Sequence, residues 1–536
     1  MLIDARRLDH GSRMQTDVLI IGAGAAGLVL ATELEAAGIE VILAEAGGER
    51  RDRAAFPPPI AQQGPQALNL TGRRRMLGGA LNDWGGNCAL LDKADFGPSR
   101  VRAMDGATET LPDWPFPLSE LNERTGRVEA CLGLQPGALA GTMQPQPPPA
   151  GLDGTGQGRF RARRYLRAAP EAVLDGLRRN LLRDDCRARL LTHATCVGLS
   201  APIGCRRVSG AELASAPQHR ISVAARRVVL AAGMENAMLL MQGVADGPEG
   251  CLRRWPALGR YLHAHLLALH GVAPLAPGLR ALMPGHCLPA DFGLDVWRHL
   301  GRRARRRLGP GLPARQSRPQ PVPGFAGLQL DPARRRAEGM LNGVAWLAPV
   351  WPHHPMIGAS ARRDAARLGP QRLWHSPALH PLLGDVALPR AVALRHYVEQ
   401  VPRPEARLRP GPARDAFGRF ETLACWQSGA AEVHTIARQT ALAAEALRGA
   451  GMVPFDAAMP PDASDPDIAR NAHPMGGTLT GTDPKYSVVD ADLAVHGIAN
   501  LHVCGGSVIP RGGAAMVTGV ILQLAFRLAD HLRRAP

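Results

Sequence analysis

Short apolar runs that stop at glycine recur along the chain and predict buried parallel strands. Asp17–Ile21 is such a run, Leu28–Ala37 follows its glycine-rich turn with helical spacing, and Ile39–Glu45 is a second buried strand. Together they form a βαβ unit within about 30 residues. Further along, Arg226–Gly233 predicts another strand ending in glycine, and Met234–Met241 predicts the helix after it. The pattern predicts an α/β fold with a Rossmann-like domain.

The carboxy-terminal part of the chain predicts two more strands and a helix, and segments predicted to be loops separate it from the first βαβ unit. Ser487–Asp490 and Leu501–Cys504 predict strands, and Val520–Arg534 has the spacing of a helix. Glu49–Thr71 and Ala130–Gly158 predict loops, because Arg, Pro, Gln and Gly dominate them. The chain contains no internal repeat.

The composition is that of a globular protein. With 536 residues the chain is long enough for two packed domains, and 45% hydrophobic against 21% charged residues excludes a wholly disordered chain. No apolar run approaches the ~18–20 residues of a membrane span. Residues 1–16 lack the apolar core of a signal peptide. We therefore expect a soluble, cytoplasmic protein.

The chain is basic, with 63 Lys and Arg against 47 Asp and Glu and a net charge of +16. Lys93 and Lys485 are its only lysines, and aromatic residues make up 4%, so surfaces on which bases could stack are scarce. We expect no nucleic-acid partner. The arginine cluster within Arg298–Gly324 is typical of a solvated helix end that enters a loop, rather than of a phosphate or partner site.

Neither a metal site nor a disulfide framework is expected. The nine cysteines are scattered and include no CxxC pair. His353 and His354 stand together between prolines, but no third ligand follows at a useful spacing. His263 and His265, two residues apart, would share one face of an extended segment and are therefore a possible ligand pair.

A GxGxxG turn made by Gly22, Gly24 and Gly27 connects the first strand to the first helix. The first glycine permits the tight turn, the second lets a pyrophosphate approach the backbone, and the third lets helix and strand pack closely. The helix N-terminus offers N–H groups and a partial positive charge to phosphates. Glu45, at the end of the second strand, suits ribose hydroxyls and disfavours NADP. The unit predicts a bound dinucleotide and leaves NAD and FAD open.

Seven blocks of sequence carry a family resemblance: the βαβ unit, Met76–Gly86, Trp114–Leu134, Val228–Leu240, Leu258–His265, Glu399–Arg407 and Asn471–Leu532. In this order they resemble the glucose–methanol–choline (GMC) flavoprotein oxidoreductases. The resemblance implies FAD and a discontinuous FAD-binding domain over 14–100, 185–265 and 465–536. An α+β substrate-binding domain with connecting segments, interleaved in sequence with the first domain, then occupies 101–184 and 266–464.

The resemblance also implies the chemistry, which is oxidation of a CH–OH group of a small-molecule alcohol, sugar or metabolite. A hydride passes to flavin N5, and a base takes the hydroxyl proton. His473 falls on the position of that base, for which a near-neutral imidazole is suited. The implied cofactor-binding residues are Gly22, Gly24, Ala25, Ala26, Gly27 and Glu45 for the ADP half, Val197 for adenine, and Gly78, Gly79, Asn82, Gly505, Gly506, Met516 and Val517 for the flavin half.

Three positions depart from the family pattern. The second catalytic His or Asn of the family falls on Met516, whose thioether cannot orient a hydroxyl. We therefore expect about ten- to a hundredfold less activity. A flavoprotein with altered chemistry or with a non-catalytic role stays open. Asp83 precedes Trp84, where some relatives have a histidine that binds FAD covalently, so we predict dissociable FAD. Gly505 replaces an aspartate near the ribityl chain, which loosens the cofactor.

Other features of the resemblance leave questions open. His265 falls on a family histidine near the domain boundary and is predicted to be structural. The electron acceptor can be oxygen, a quinone or a cytochrome, and neither the substrate nor the oligomeric state follows from the sequence.

Overall fold

Two large β-sheets organise the part of the chain that the structure describes. The computed structural model describes residues 1–50, 60–64, 66–70, 72–97, 99–102, 106–144, 160–243, 247–274, 325–350, 370–372, 387–389, 391–449 and 470–534. In chain order the strands are β1 (Leu2–Asp4), β2 (Arg13–Ile21), β3 (Val41–Ala44), β4 (Ile60–Gln62), β5 (Asn87–Cys88), β6 (Ser99–Arg102), β7 (Thr108–Leu111), β8 (Phe160–Arg167), β9 (Arg189–Thr192), β10 (Thr195–Leu199), β11 (Gly210–Ala216), β12 (His219–Leu230), β13 (His263–Pro274), β14 (Phe325–Leu330), β15 (Gly343–Val350), β16 (Pro370–Arg372), β17 (Ala387–Pro389), β18 (Ala391–Val398), β19 (Arg407–Arg414), β20 (Phe420–Cys425), β21 (Arg470–Met475) and β22 (Leu501–Val503). The α-helices are α1 (Ala25–Ala36), α2 (Leu118–Asn122), α3 (Thr125–Leu132), α4 (Ala138–Met143), α5 (Pro170–Leu182), α6 (Glu235–Gly243), α7 (Gly247–Arg254), α8 (Pro332–Ala337), α9 (Ala430–Gly449) and α10 (Val517–Arg534).

The first sheet has the parallel core of a dinucleotide-binding fold. Its strands run in the order β1-β9-β3-β2-β12-β11-β10, and β22 pairs with β12 outside this path. β2 is parallel to β3 and β12, and β12 is parallel to β22. Val18–Ile21 and Val41–Ala44 are buried throughout, as expected for parallel strands covered on both faces. The carboxyl ends of these four strands therefore meet at one edge of the sheet.

α1 connects β2 to β3 and is apolar around most of its circumference. Leu28, Leu30 and Leu34 are fully buried. The helix packs against the sheet and also against α5 and α10. A helix enclosed in this way needs no polar face, which explains why its own apolar residues occur around most of its circumference. Through α10, the end of the chain returns to the first βαβ unit.

The second sheet is antiparallel and has the order β21-β13-β18-β15-β14-β8-β5. α9 packs against β13 and β18. The register of β13 against β21 shifts between His263 and His265, which is the mark of a β-bulge. β5 and β21 come from segments that the sequence predicts for the FAD-binding domain, yet both pair within this second sheet. The proposed domain boundaries stay a prediction.

The α/β fold class is confirmed, and the predicted βαβ unit forms as β2, α1 and β3. The predicted strand over Ser487–Asp490 is wrong. Within this segment only Val489 forms isolated β-bridges. The segment is a loop that is buried in the core, which explains why it contains apolar residues such as Val488 and Val489. The loop predicted over Ala130–Gly158 contains the end of α3 and all of α4, since Leu132 and Leu139 are buried. Residues 145–159, Arg298–Gly324, His353 and His354 lie outside the described residues.

Candidate active site

The glycine turn after β2 leaves open space at the edge where the parallel strands end. Gly22 has φ +104°, and a Cβ there would lie 2.8 Å from the carbonyl oxygen of Ala231. A Cβ at Gly27 would overlap the carbonyl oxygen of Gly22, so helix and turn are in direct contact. At Gly24, by contrast, a Cβ would meet no atom within 4 Å. Only glycine fits at the first and third positions, whereas the second faces a space that a ligand can enter.

Gly24 is also the N-cap residue of α1, and its extended backbone has no side-chain cap. Ala25 and Ala26 form the first turn, in which main-chain N–H groups have no helical acceptor. An anion fits such a terminus, because the N–H groups and the helix dipole both favour negative charge. The diphosphate of a dinucleotide is an anion of this kind.

Glu45 directly follows β3 and is buried beside the turn. Its carboxylate accepts hydrogen bonds from the backbone N–H groups of Ala23 and Gly47, each at 3.0 Å. Burial raises the pKa of Glu45 to about 7, although these hydrogen bonds oppose the shift. A carboxylate oxygen has more than one lone pair, so Glu45 can also accept from ribose hydroxyls.

The second glycine motif packs directly on the first. The Gly78 N–H donates to the carbonyl oxygen of Ala23 at 2.8 Å, and a Cβ at Gly79 would lie 3.3 Å from the Cα of Gly24. The side-chain amide of Asn82 donates to the carbonyl oxygens of Leu77 and Gly79, at 3.2 and 2.8 Å. Asn82 thus braces this loop, and its Oδ1 is the atom left to accept from a ligand.

A crossover between β9 and β10 passes over the same edge. His193 donates from its backbone to the carbonyl oxygen of Gly47, and Ala194 donates to that of Glu45, at 2.9 and 2.8 Å. Val197 follows, half-buried, at a bulge between β10 and β11. Val197, the residue predicted to contact adenine, therefore lies just beyond a segment that is hydrogen-bonded to the turn at Glu45 and Gly47.

The carboxy-terminal glycines extend this surface from β22. Gly505 has φ +126° and ψ −165°, a conformation that is essentially restricted to glycine, and its nearest neighbour on the Cβ side is Gly233, at 3.9 Å. An aspartate at this position would be strained in this backbone conformation. Gly506 opens a 3₁₀ turn over 506–508. Met516 and Val517 are buried, and Val517 is the first residue of α10.

His473 lies next to this glycine surface. It sits in β21 with φ +58°, in the bulge where His473 and Pro474 together oppose Ala264 of β13, and this strained backbone sets the direction of its ring. Residues that follow it run along the turn after Gly505, since the N–H of Gly476 donates to the carbonyl oxygen of Gly506 at 3.4 Å and that of Thr478 to Ser507 at 3.1 Å. The predicted base and the predicted flavin-binding glycines therefore come together.

Comparisons with known proteins agree with this geometry. The family model described as GMC oxidoreductase matches residues 402–525, and the model described as FAD binding domain matches residues 15–54. Over these residues the chain is similar to the GMC oxidoreductases and to FAD-binding domains, as the sequence predicts. FAD is accordingly its cofactor, and the open glycine cradle with Glu45 fits the ADP half of that molecule.

Curated relatives match this chain over short segments. The dehydrogenase str4 of Strobilurus tenacellus is 36% identical over 61 residues, which is 11% of this chain and 10% of the relative. The fructose dehydrogenase large subunit of Gluconobacter japonicus is 36% identical over 67 residues, 12% of either chain. The match thus spans about a tenth of the length of these relatives.

The crystal structure of pyridoxine 4-oxidase from Mesorbium loti matches over 97% of this chain and 100% of its own length. The TM-score is 0.54 and the sequence identity is 18%. This similarity establishes that the two proteins share a fold.

His473, Tyr397 and His265 form a cluster on three adjacent strands of the second sheet, here called the ring cluster. The Tyr397 hydroxyl lies 3.1 Å from Nδ1 of His473 and donates to the carbonyl oxygen of Ala515 at 2.7 Å. The His265 ring stacks on Tyr397 with centroids 4.3 Å apart, and it meets His473 edge-on at 5.5 Å. Sequence reasoning named both histidines but missed Tyr397, which lies only two residues before the block that begins at Glu399.

Burial keeps His263 and His265 of β13 uncharged. His265 donates from Nε2 to the carbonyl oxygen of Gly513 at 3.0 Å, and burial lowers its pKa well below the usual value, with His473 adding to the shift. His263 donates from Nδ1 to the carbonyl oxygen of Tyr261, and burial lowers its pKa to about 4. The described residues contain no group of three or more His, Cys, Asp or Glu that could hold a metal ion.

A buried ion pair that the sequence did not indicate holds the loop before Met516. Arg511 binds both carboxylate oxygens of Glu399, each at 3.2 Å, and the N–H groups of Gly513 and Asn342 donate to the same carboxylate. Burial alone would raise the pKa of Glu399, but the charge and hydrogen bonds of Arg511, the Arg335 charge and the N–H of Asn342 together outweigh it, so the pKa is lowered. Both residues lie in blocks that resemble the family, which is the signal that could have paired them.

One further buried side chain connects two turns of the site. Asn236 is fully buried and links the turn after β12 to the one after β22, since it accepts from the N–H of Ala232 and donates to Ser507 Oγ at 3.0 Å.

No helix among the described residues has both the length and the apolar character needed to cross a membrane.

Proposed function

We propose that the protein is an FAD-dependent oxidoreductase that oxidises a CH–OH group of an alcohol, a sugar or a metabolite hydroxyl, with His473 as the general base. The observation that carries the proposal is the hydrogen bonding of residues 476 and 478 to residues 506 and 507, which holds His473 beside the glycines Gly505 and Gly506. A hydride donor bound there would lie between a base and the flavin end of the cofactor.

Hydrogen-bond directions support Nε2 as the reactive nitrogen of His473. The Tyr397 hydroxyl has one proton and donates it to Ala515, so its oxygen accepts from Nδ1–H of His473. The lone pair of the imidazole is then on Nε2, which is the atom that accepts the hydroxyl proton of the substrate. Bound FAD supplies the hydride acceptor.

The names of similar proteins suggest which donors to try first. One relative is a fructose dehydrogenase, and a protein of the same fold is a pyridoxine 4-oxidase. These names cover a dehydrogenase and an oxidase, so the acceptor of this enzyme can be oxygen, a quinone or a cytochrome. We propose D-fructose, pyridoxine and benzyl alcohol as the initial probes.

The test is an anaerobic absorbance titration of the FAD-loaded protein with these probes. We expect at least one donor to bleach the visible flavin band, and His473→Ala to slow this reduction at least about a hundredfold while the protein stays yellow. His10→Ala is the matched control, because His10 is exposed at the amino-terminal end of β2. Undiminished reduction by His473→Ala would refute the assignment of the base.

A second candidate is a GMC-like flavoprotein with altered chemistry or without turnover. Met516 favours it, because a buried thioether occupies the position of the second catalytic His or Asn. A yellow protein that no alcohol or sugar reduces would support this candidate over the first.

A further inference from the structure

The pairing of three strands brings the ring cluster together. β13 lies between β21 and β18, and Leu267 pairs with Tyr397 while His265 pairs with Ala472. Tyr397 and His265 are therefore diagonal neighbours on one face. In a regular ladder the next residue of β21, His473, would alternate to the opposite face. The extra residue that β21 carries in its bulge and the positive φ of His473 instead direct its ring toward the other two.

The hydrogen bonds of this cluster run in one direction. Nδ1–H of His473 donates to the phenol oxygen of Tyr397, and the phenol O–H donates to the carbonyl oxygen of Ala515. A phenol that donates to a carbonyl becomes a better acceptor at its own oxygen, because hydrogen bonds in a chain polarise one another. When Nε2 takes a proton, the imidazolium is a stronger donor, and the chain stabilises its positive charge.

His265 holds the phenol in place without adding charge. Its ring stacks on Tyr397 with an interplanar angle of 17°, and its Nε2–H is fixed by Gly513. Since burial keeps this imidazole neutral, it does not repel a protonated His473. Tyr397 and His265 are the titratable side chains of the described residues whose rings face His473.

We propose that Tyr397 is the positioning residue of His473, holding its Nδ1–H so that Nε2 is the basic atom. The inference rests on the proposed function for its catalytic meaning. The phenol also donates to the main chain at Ala515, immediately before Met516, so it connects His473 to the loop that carries Met516.

Tyr397→Phe tests the proposal, because it removes the hydroxyl and keeps the ring that stacks on His265. Tyr165→Phe is the matched control. Tyr165 is also fully buried, and its hydroxyl donates to the neighbouring carbonyl, that of Ala514, at 2.9 Å. If the hydroxyl of Tyr397 only braces the loop before Met516, both variants should behave alike.

The primary measurement is the rate at which diethyl pyrocarbonate modifies His473 in the FAD-loaded protein as a function of pH. His473 is half-buried, and trypsin releases it in the peptide 471–485, which contains no other histidine. The reagent reacts with the neutral ring, so the midpoint of the pH dependence measures its basicity. We expect Tyr397→Phe to lower the midpoint by about 0.5–1 pH unit, as for the loss of one charge-assisted hydrogen bond. Tyr165→Phe should leave it unchanged.

A second measurement keeps the covalent framework of the protein. The chain has four tyrosines, and incorporation of 3-fluorotyrosine weakens the phenol oxygen as an acceptor without removing it. The midpoint for His473 should again fall, by less than in Tyr397→Phe. A midpoint that moves in neither protein, or that moves equally in Tyr165→Phe, would overturn the proposal.

Activity separates this proposal from the proposed function. With a donor that reduces the flavin, Tyr397→Phe should lower kcat about tenfold, leave KM within about twofold and shift the acidic limb of the pH profile downward. Loss of reduction in His473→Ala together with an unaffected Tyr397→Phe would refute the role of Tyr397 alone. Full reduction by His473→Ala would refute the catalytic base, while the modification midpoints would still test the hydrogen bond.

Discussion

At the scale of single residues, Glu45 leads to a pH-dependent prediction. Its pKa is raised from 4.5 to about 7 by burial, so folding disfavours the ionised form. The stabilisation that accompanies the protonated carboxyl is present below pH 4.5 and is lost as the pH rises to about 7. Over this range the FAD-free wild type should lose roughly 2–4 kcal/mol relative to Glu45→Gln, whose amide does not ionise. Urea unfolding of both proteins at pH 4.5 and 7.5 measures this; equal pH slopes would contradict it.

Glu45 could also be found from the sequence pattern alone, because it follows a strand at a spacing that the βαβ unit itself determines. The contact between Tyr397 and His473, in contrast, joins two strands that are 76 residues apart, and nothing near either residue signals it. Side chains whose setting is local were therefore predicted, and those whose partners are remote were missed. The roles assigned to the site residues stay predictions.

At the scale of elements, local periodicity predicted the βαβ unit but not the order of strands in the second sheet. β2, α1 and β3 each carry a complete pattern within a few residues. β21 and β13, in contrast, pair across about 200 residues of chain, with a bulge that no pattern of apolar residues specifies. The strand that aims His473 is therefore visible only in the folded chain.

The glycine turn and α1 allow binding and folding to be separated by experiment. Gly24→Ala adds a methyl group toward open space, so we expect a folded protein whose Kd for FAD rises at least about tenfold. Gly27→Ala drives the methyl group into the Gly22 carbonyl and should destabilise the fold itself. Gly176→Ala, in α5 with no atom within 4 Å of the new Cβ, is the control. Fluorescence titration with FAD and thermal unfolding of the three variants distinguish the effects, and equal FAD affinities for wild type and Gly24→Ala would contradict the first.

At the scale of the whole molecule, the cofactor joins segments that are far apart in sequence. The residues proposed to contact FAD come from the turns after β2 and β3, the loop at Gly78, the crossover before Val197 and the turns after β22. Asp83, where covalent relatives have histidine, instead forms an ion pair with Arg74 at 2.7 Å, which supports dissociable FAD. Acid precipitation should therefore leave a yellow supernatant, and a yellow pellet would show a covalent bond.

Because a ligand that binds only the folded state stabilises it, FAD at 100 to 1,000 times its Kd should stabilise the FAD-free protein by about 3–4 kcal/mol and raise its Tm by about 3–5 °C. An unchanged Tm would mean that these segments do not form one site for the cofactor.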